Sequence, residues 1–206
     1  MKQLAGRVRG VESAFSLRWV LFLFCLLAMP SVAHADAGVP MVFVTYPAML
    51  VALFPVILLE AAIFQRRLLL GYRQVAWRVG VANAVSTVIG FPLTWFLMAA
   101  LQLLTRGAYA YGISTWWSKA LAVTWQSPWL IPYEKELYWM VPTAALVGLI
   151  PAFLASVFIE GHILKRLFKV TDAATTWKLT WKANGVSYLM LASVAGIWLV
   201  HSVMSK

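Results

Sequence analysis

Along the chain, long apolar runs alternate with short polar interruptions. Four runs, roughly Met41–Phe64, Trp77–Leu104, Tyr138–Leu164 and Leu179–Val203, each exceed twenty residues. At about 1.5 Å per residue, a helix of about twenty residues crosses a hydrocarbon core of roughly 30 Å. The pattern therefore predicts four transmembrane helices in an all-α integral membrane protein.

A fifth apolar stretch, "WVLFLFCLLAM" at 19–29, has only eleven residues. Lys2, Arg7, Arg9 and Arg18 precede it, and Pro30 and the small-x-small triplet "AHA" at 33–35 follow. That order reads as a secretory signal peptide over 1–35, removed after Ala35. The alternative is an uncleaved first helix from Trp19 to about Ala33. Cys25 is the sole cysteine and lies within the signal, so the mature chain is expected to have no disulfide, thiolate nucleophile or cysteine metal site.

The interruptions carry the charge. The connection within the first helix pair bears Arg66, Arg67 and Arg73, with Arg78 at its edge, and the connection within the last pair bears Lys165, Arg166, Lys169, Lys178 and Lys182. Together they hold nine cations against one acid, Asp172, whereas the middle connection balances Arg106, Lys119 and Lys135 against Glu134 and Glu136. The positive-inside rule then places both short loops in the cytoplasm. The expected location is the bacterial inner membrane, with the mature N- and C-termini periplasmic.

Residues 36–105 and 138–206 form two helical hairpins, and 106–137 joins them. The joining segment is rich in Trp and Tyr, including Trp116, Trp117, Trp125 and Trp129. Such residues favour the headgroup level, so a helix around Ile113–Gln126 is expected to lie on the periplasmic leaflet before a Pro-marked turn. A partner-docking surface would have the same composition.

The two hairpins repeat one another. "LVALFP" at 50–55 matches "LVGLIP" at 146–151, Glu60-x-x-Ile63-x-x-Arg66 matches Glu160-x-x-Ile163-x-x-Arg166, and "ANAVS" at 82–86 matches "ANGVS" at 183–187. The Glu-to-Asn spacing is 23 residues in one half and 24 in the other. Apolar composition alone could echo the first motif, but not a Glu, an Arg, an Asn and a Ser in the same order. Two tandem hairpins related by a pseudo-two-fold axis along the membrane normal are expected.

Depth turns the repeat into candidate chemistry. Glu60, Asn83 and Ser86 come to similar depth in one hairpin, and Glu160, Asn184 and Ser187 do so in the other. A carboxylate there faces the bundle interior or is protonated, because charge facing lipid is costly. Arg67 is placed on the Glu60 face, while its counterpart, Leu167, offers Glu160 no charge. These six residues are expected either to clamp each hairpin by interhelical hydrogen bonds or to form acidic sites, separate or shared, for a cation, a proton or a lipid headgroup. Ala82, Ser86 and Gly90 supply a small-residue strip for close helix approach.

Composition agrees with this picture. The 206 residues are 62% hydrophobic and 12% charged, whereas a soluble domain has about 25% charged residues. The net charge of +10 is scattered over loops and termini, with no basic stripe to follow a phosphate backbone, so nucleic acid is not an expected partner. His162 and His201 fall near opposite ends of their helices and cannot share a metal or haem. There is no phosphate-cradling loop, HExxH motif or assignable catalytic triad, so no catalytic, cofactor-binding or metal residue is assigned and no enzymatic activity is expected. The Glu…Asn-x-x-Ser hairpin resembles, over part of each half, small cyanobacterial filament-integrity membrane proteins; the pattern is a common one and implies no residue role.

The expected function is that of a small non-enzymatic accessory, scaffold or assembly subunit, in contact with lipid and with other membrane proteins or a second copy. The alternative is a small oligomeric transporter or channel using Glu60 and Glu160 as ion or proton sites.

Overall fold

A computed structural model describes residues 39–68, 70–106, 112–125, 129–130, 134–169 and 171–206. The expected signal peptide lies outside these residues, as does most of the expected Pro-marked turn. Among the described residues the regular structure is helical, apart from one two-residue antiparallel pairing of Val39–Pro40 with Trp129–Leu130.

Helix α1 spans Met41–Gln65, and α2 spans Tyr72–Val85. A π-helical turn, Ser86–Gly90, leads without a break into α3, Phe91–Arg106. After the short α4, Trp116–Thr124, come α5, Leu137–Leu167, and α6, Ala173–Met204. Four continuous helices are long and apolar enough to cross a membrane: Pro47–Gln65, Tyr72–Leu104, Leu137–Leu167 and Ala173–Met204.

The polar connections are shorter than the hydrophobic pattern predicts, because α2 and α6 begin at Tyr72 and Ala173 rather than at Trp77 and Leu179. Arg73, Lys178 and Lys182 are therefore helical. Their long stems let the charge leave the apolar layer while the backbone stays helical. Asp172 fixes the start of α6 by accepting the Thr175 backbone N–H at 2.8 Å, which satisfies one orphan donor of the first turn.

The π turn has an identifiable cause. Pro92 has no N–H to give the carbonyl four residues back, and just before it the Phe91 N–H reaches the Ser86 carbonyl, five residues back. The bulge keeps the span helical across the proline.

The spans pack as a four-sided bundle. α1 lies on α2 and α5 on α6, while α1 also meets α6 and α2 with its π turn meets α5; the diagonal pairs scarcely touch. The side-chain distribution is inverted relative to a soluble bundle. Val51 and Leu104 are 79% and 85% exposed, whereas Glu60 and Glu160 are 0% and 1% exposed. An apolar exterior suits lipid, and with no hydrophobic drive between helices there, close packing and interhelical hydrogen bonds hold the bundle.

Two packed regions bracket the bundle. At the end bearing the short loops, Phe64, Leu68, Val75, Val79, Leu164 and Phe168 form a tight plug. The Phe64 and Phe168 rings stack there at 5.6 Å, and the Arg78 guanidinium carbon lies 5.2 Å from the Phe168 ring centre. Gly161 allows the close approach of α5 and α6, since a Cβ there would lie 2.3 Å from the Trp177 indole. Towards the other end, Ala122 and Val123 of α4 pack on Met140 and Ala144 of α5.

Helix α4 is shorter than the expected Ile113–Gln126. Its start is set by Thr115, whose hydroxyl accepts the Ser118 N–H in a capping box. Trp116 and Trp117 are exposed.

Candidate functional site

Glu60 lies on α1, five residues before its last residue, Gln65, or about 8 Å along the axis. Its neighbour across the hairpin is Asn83, whose Nδ2 donates to Glu60 Oε2 at 2.8 Å and to the Val79 carbonyl at 3.1 Å. The second hairpin repeats this arrangement. Asn184 Nδ2 donates to Glu160 Oε2 at 2.7 Å and to the Thr180 carbonyl at 3.2 Å. In both cases the amide's second N–H anchors it to its own helix, one turn back, and so fixes its orientation.

The serines cross over. Ser86 of the first hairpin donates to Glu160 Oε1 of the second at 2.6 Å, and Ser187 of the second donates to Glu60 Oε1 of the first at 2.6 Å. The sequence placed each hydroxyl with the carboxylate of its own hairpin. In the structure each glutamate takes its amide from its own hairpin and its hydroxyl from the other. A serine three residues after the asparagine is turned along the helix surface towards the neighbouring hairpin. All six candidate residues are thus brought into one buried cluster.

The two carboxyl groups also hydrogen-bond to each other, which takes a proton on one of them, and among the described residues no Lys, Arg or His pairs with either. Arg67 does not join Glu60. α1 ends at Gln65, so Arg67 sits in the turn with its side chain exposed, and the helical face on which the sequence placed it no longer exists.

Beyond the carboxyls, away from the short loops, lies a cavity of about 20 Å³ touched by all four spans. Its polar lining comes from Asn83, Ser86, Thr87, Ser156, Glu160 and Tyr188. Ser156 and Tyr188 share a hydrogen bond of 2.8 Å. Sequence reasoning did not single out Ser156, Tyr188 or Thr87. Ser156 had a visible signal, because it precedes Glu160 by four residues and shares its helix face. Tyr188 and Thr87 had a weaker one, since each directly follows a repeat serine.

The histidines lie away from the cluster. His162 is exposed, its ring tilted against Phe158 at 4.4 Å and set edge-to-face with Trp177 at 5.3 Å, and His201 is exposed near the far end of α6. Among the described residues no group of three or more His, Cys, Asp or Glu side chains could hold a metal ion. No family model, curated protein or solved structure matches the chain.

Proposed function

We propose that the chain is a non-enzymatic accessory, scaffold or assembly subunit of the bacterial inner membrane, with its crossed cluster acting as a clamp. One observation carries this reading: each hairpin's serine completes the other hairpin's glutamate, so the polar pairing is complete only when both hairpins are docked. A protein whose interior polar chemistry goes into holding its own helices offers its outer faces to partners.

Several features support a duplicated, pseudo-two-fold hairpin. The buried residues correspond in pairs by their distance from the repeat residues: Phe64 with Leu164, Leu68 with Phe168, Val75 with Thr176, Val79 with Thr180 and Ala82 with Ala183. The nine cations at or near the two short loops favour a cytoplasmic position for that end. A signal peptide over 1–35 and periplasmic termini fit the same orientation.

A second reading, a small oligomeric transporter or channel using Glu60 and Glu160, draws support from the polar cavity between the four spans. Its volume of about 20 Å³ suits one water or one small ion, and the aromatic and aliphatic plug closes the short-loop side of the cluster. For that reason the clamp ranks first.

The deciding experiment is the native mass of the full chain after gentle extraction from its own membrane. A stoichiometric partner is expected. A lone monomer or homodimer would overturn the accessory reading and direct attention to flux in proteoliposomes, which Glu60→Gln with Glu160→Gln should abolish if those carboxylates carry ions.

A further inference from the structure

We propose that the outer face of the second hairpin, at its short-loop end, binds the headgroup of an anionic phospholipid along the seam between α5 and α6. This goes beyond the clamp reading, which concerns the interior of the bundle, and stands or falls separately from it.

The first support is a departure from the repeat. Counted from the paired glutamates and asparagines, His162 stands where the first hairpin has Ala62, Trp177 where it has Ala76, and Trp181 where it has Gly80. The replacements gather on one seam. Trp177 lies over Gly161 and meets the His162 ring edge-to-face at 5.3 Å. Trp181 follows one turn later, set edge-on to Phe153 at 5.4 Å. His162 and Trp181 are both exposed, so the bundle's own packing does not account for them. The first hairpin has small residues at these positions, and its exposed Trp77 stands in the place of Lys178.

Depth suits a headgroup. His162 lies five residues before the end of α5 and Trp177 four after the start of α6, about 6–8 Å from the helix ends. In the layer between hydrocarbon and water an indole turns its ring to acyl chains and its N–H to polar oxygens.

The second support is charge. Lys165 and Arg166 follow His162 by three and four residues, and Lys178 precedes Trp181 by three, so cations border the aromatic seam. All three are exposed, and among the described residues none forms a salt bridge. Asp172, the acid between them in sequence, accepts the Thr175 N–H at the start of α6. Setting topology asks only that cations lie on one side of the membrane. Cations bordering an aromatic wall at this depth complement a phosphodiester tethered to acyl chains. A zwitterionic lipid would set its own cation against them.

The test counts lipid bound to the full-length protein in neutral detergent by native mass spectrometry, titrating phosphatidylglycerol against phosphatidylcholine. One phosphatidylglycerol is expected to bind about tenfold or more tightly than phosphatidylcholine. Each cation near an anionic headgroup contributes about fivefold, so Lys165→Gln with Lys178→Gln should remove most of that preference. Arg73→Gln, on the first hairpin, should leave it unchanged. Trp181→Leu keeps every charge and should also weaken binding, which serves if the charge variant fails to insert. Equal binding of the two lipids would overturn the proposal. So would an equal loss from Arg73→Gln, which would mean diffuse attraction to the whole basic end. Full competition by soluble glycerol phosphate would replace the lipid with a free anion, and a co-purified protein that shields Lys165 and Lys178 from amine labelling would replace it with a protein partner; either result overturns the lipid site.

Discussion

The Ser187 hydroxyl donates to Glu60 from 127 positions further along the chain, and Ser86 returns the contact to Glu160 across 74 positions. These two bonds join the hairpins, whereas the asparagine bonds act within each one. Ser86→Ala and Ser187→Ala should therefore loosen hairpin docking without opening either hairpin. Single interhelical hydrogen bonds in membranes contribute about 0.6–1.7 kcal/mol, so the double variant should lose roughly 1–3 kcal/mol. The readout is association of the two hairpins expressed as separate chains, divided in the connection between Arg106 and Leu137. Undiminished association of the double variant would sink the clamp.

Glutamine and alanine at position 60 should behave very differently. A glutamine oxygen can accept from Asn83, and its NH2 can donate to the Ser187 oxygen if that hydroxyl turns to the Asn184 carbonyl, already 3.1 Å away. Glu60→Gln should then unfold within about 1 kcal/mol of the parent. Glu60→Ala leaves the buried Asn83 N–H without its partner and opens space among packed helices, at a cost of about 2–4 kcal/mol. Equal losses in steric-trapping measurements would mean that something other than hydrogen bonding makes this residue matter.

Gly161 and Gly90 provide a matched test of packing. A Cβ at Gly161 would meet three ring atoms of Trp177 within 2.7 Å, whereas one at Gly90 would meet only the terminal Cδ1 of Ile159, at 2.8 Å. A rigid indole cannot yield as an isoleucine end can. Gly161→Ala should cost about 2–3 kcal/mol and Gly90→Ala about 1 kcal/mol or less. Trp177→Leu should relieve most of the first loss, and its failure to do so would show that helix spacing is set elsewhere.

The start of α6 should respond to acid. The Thr175 side chain and backbone N–H hold the Asp172 carboxyl below its ordinary value of 3.8. A lowered folded value means that the cap's contribution is present in full above the ordinary range and is lost as pH falls through the lowered value. Hydrogen exchange at the Thr175 amide should therefore remain slow at neutral pH and quicken only in strong acid, relative to amides in the middle of α6. In Asp172→Ala, exchange there should be fast at every pH. A parent protein showing no difference from that variant at neutral pH would remove the cap from the account.

Much of this architecture is legible in the sequence because lipid makes length and polarity unusually informative. The four spans follow from apolar runs, and the six cluster residues stand out because a Glu or Asn within such a run needs a partner. The exchange of serines was not legible. It depends on how α2 faces α5 and α6 faces α1, and the pattern of a single hairpin is the same whether Ser86 bonds to Glu60 or to Glu160. The π turn was equally hidden, since Pro92 announces a disturbed helix without saying whether it kinks, breaks or bulges. Arg67 misled because a helical face was extended past Gln65, where the helix stops.

Orientation remains a matter of charge, and one position tests it. Gly71 is exposed in the turn before α2, and nothing lies within 4 Å of a Cβ placed there. Gly71→Cys should therefore fold normally. With Cys25 changed to Ser, it presents a single thiol amid Arg66, Arg67 and Arg73. If the cation excess sets the topology, an impermeant maleimide should label this thiol in inverted vesicles or after permeabilisation, and not in intact spheroplasts. A cysteine in place of Ser205, just beyond the end of α6, should give the opposite pattern. Labelling of position 71 from outside would reverse the whole arrangement, putting the plugged end of the cluster on the periplasmic side and its cavity towards the cytoplasm.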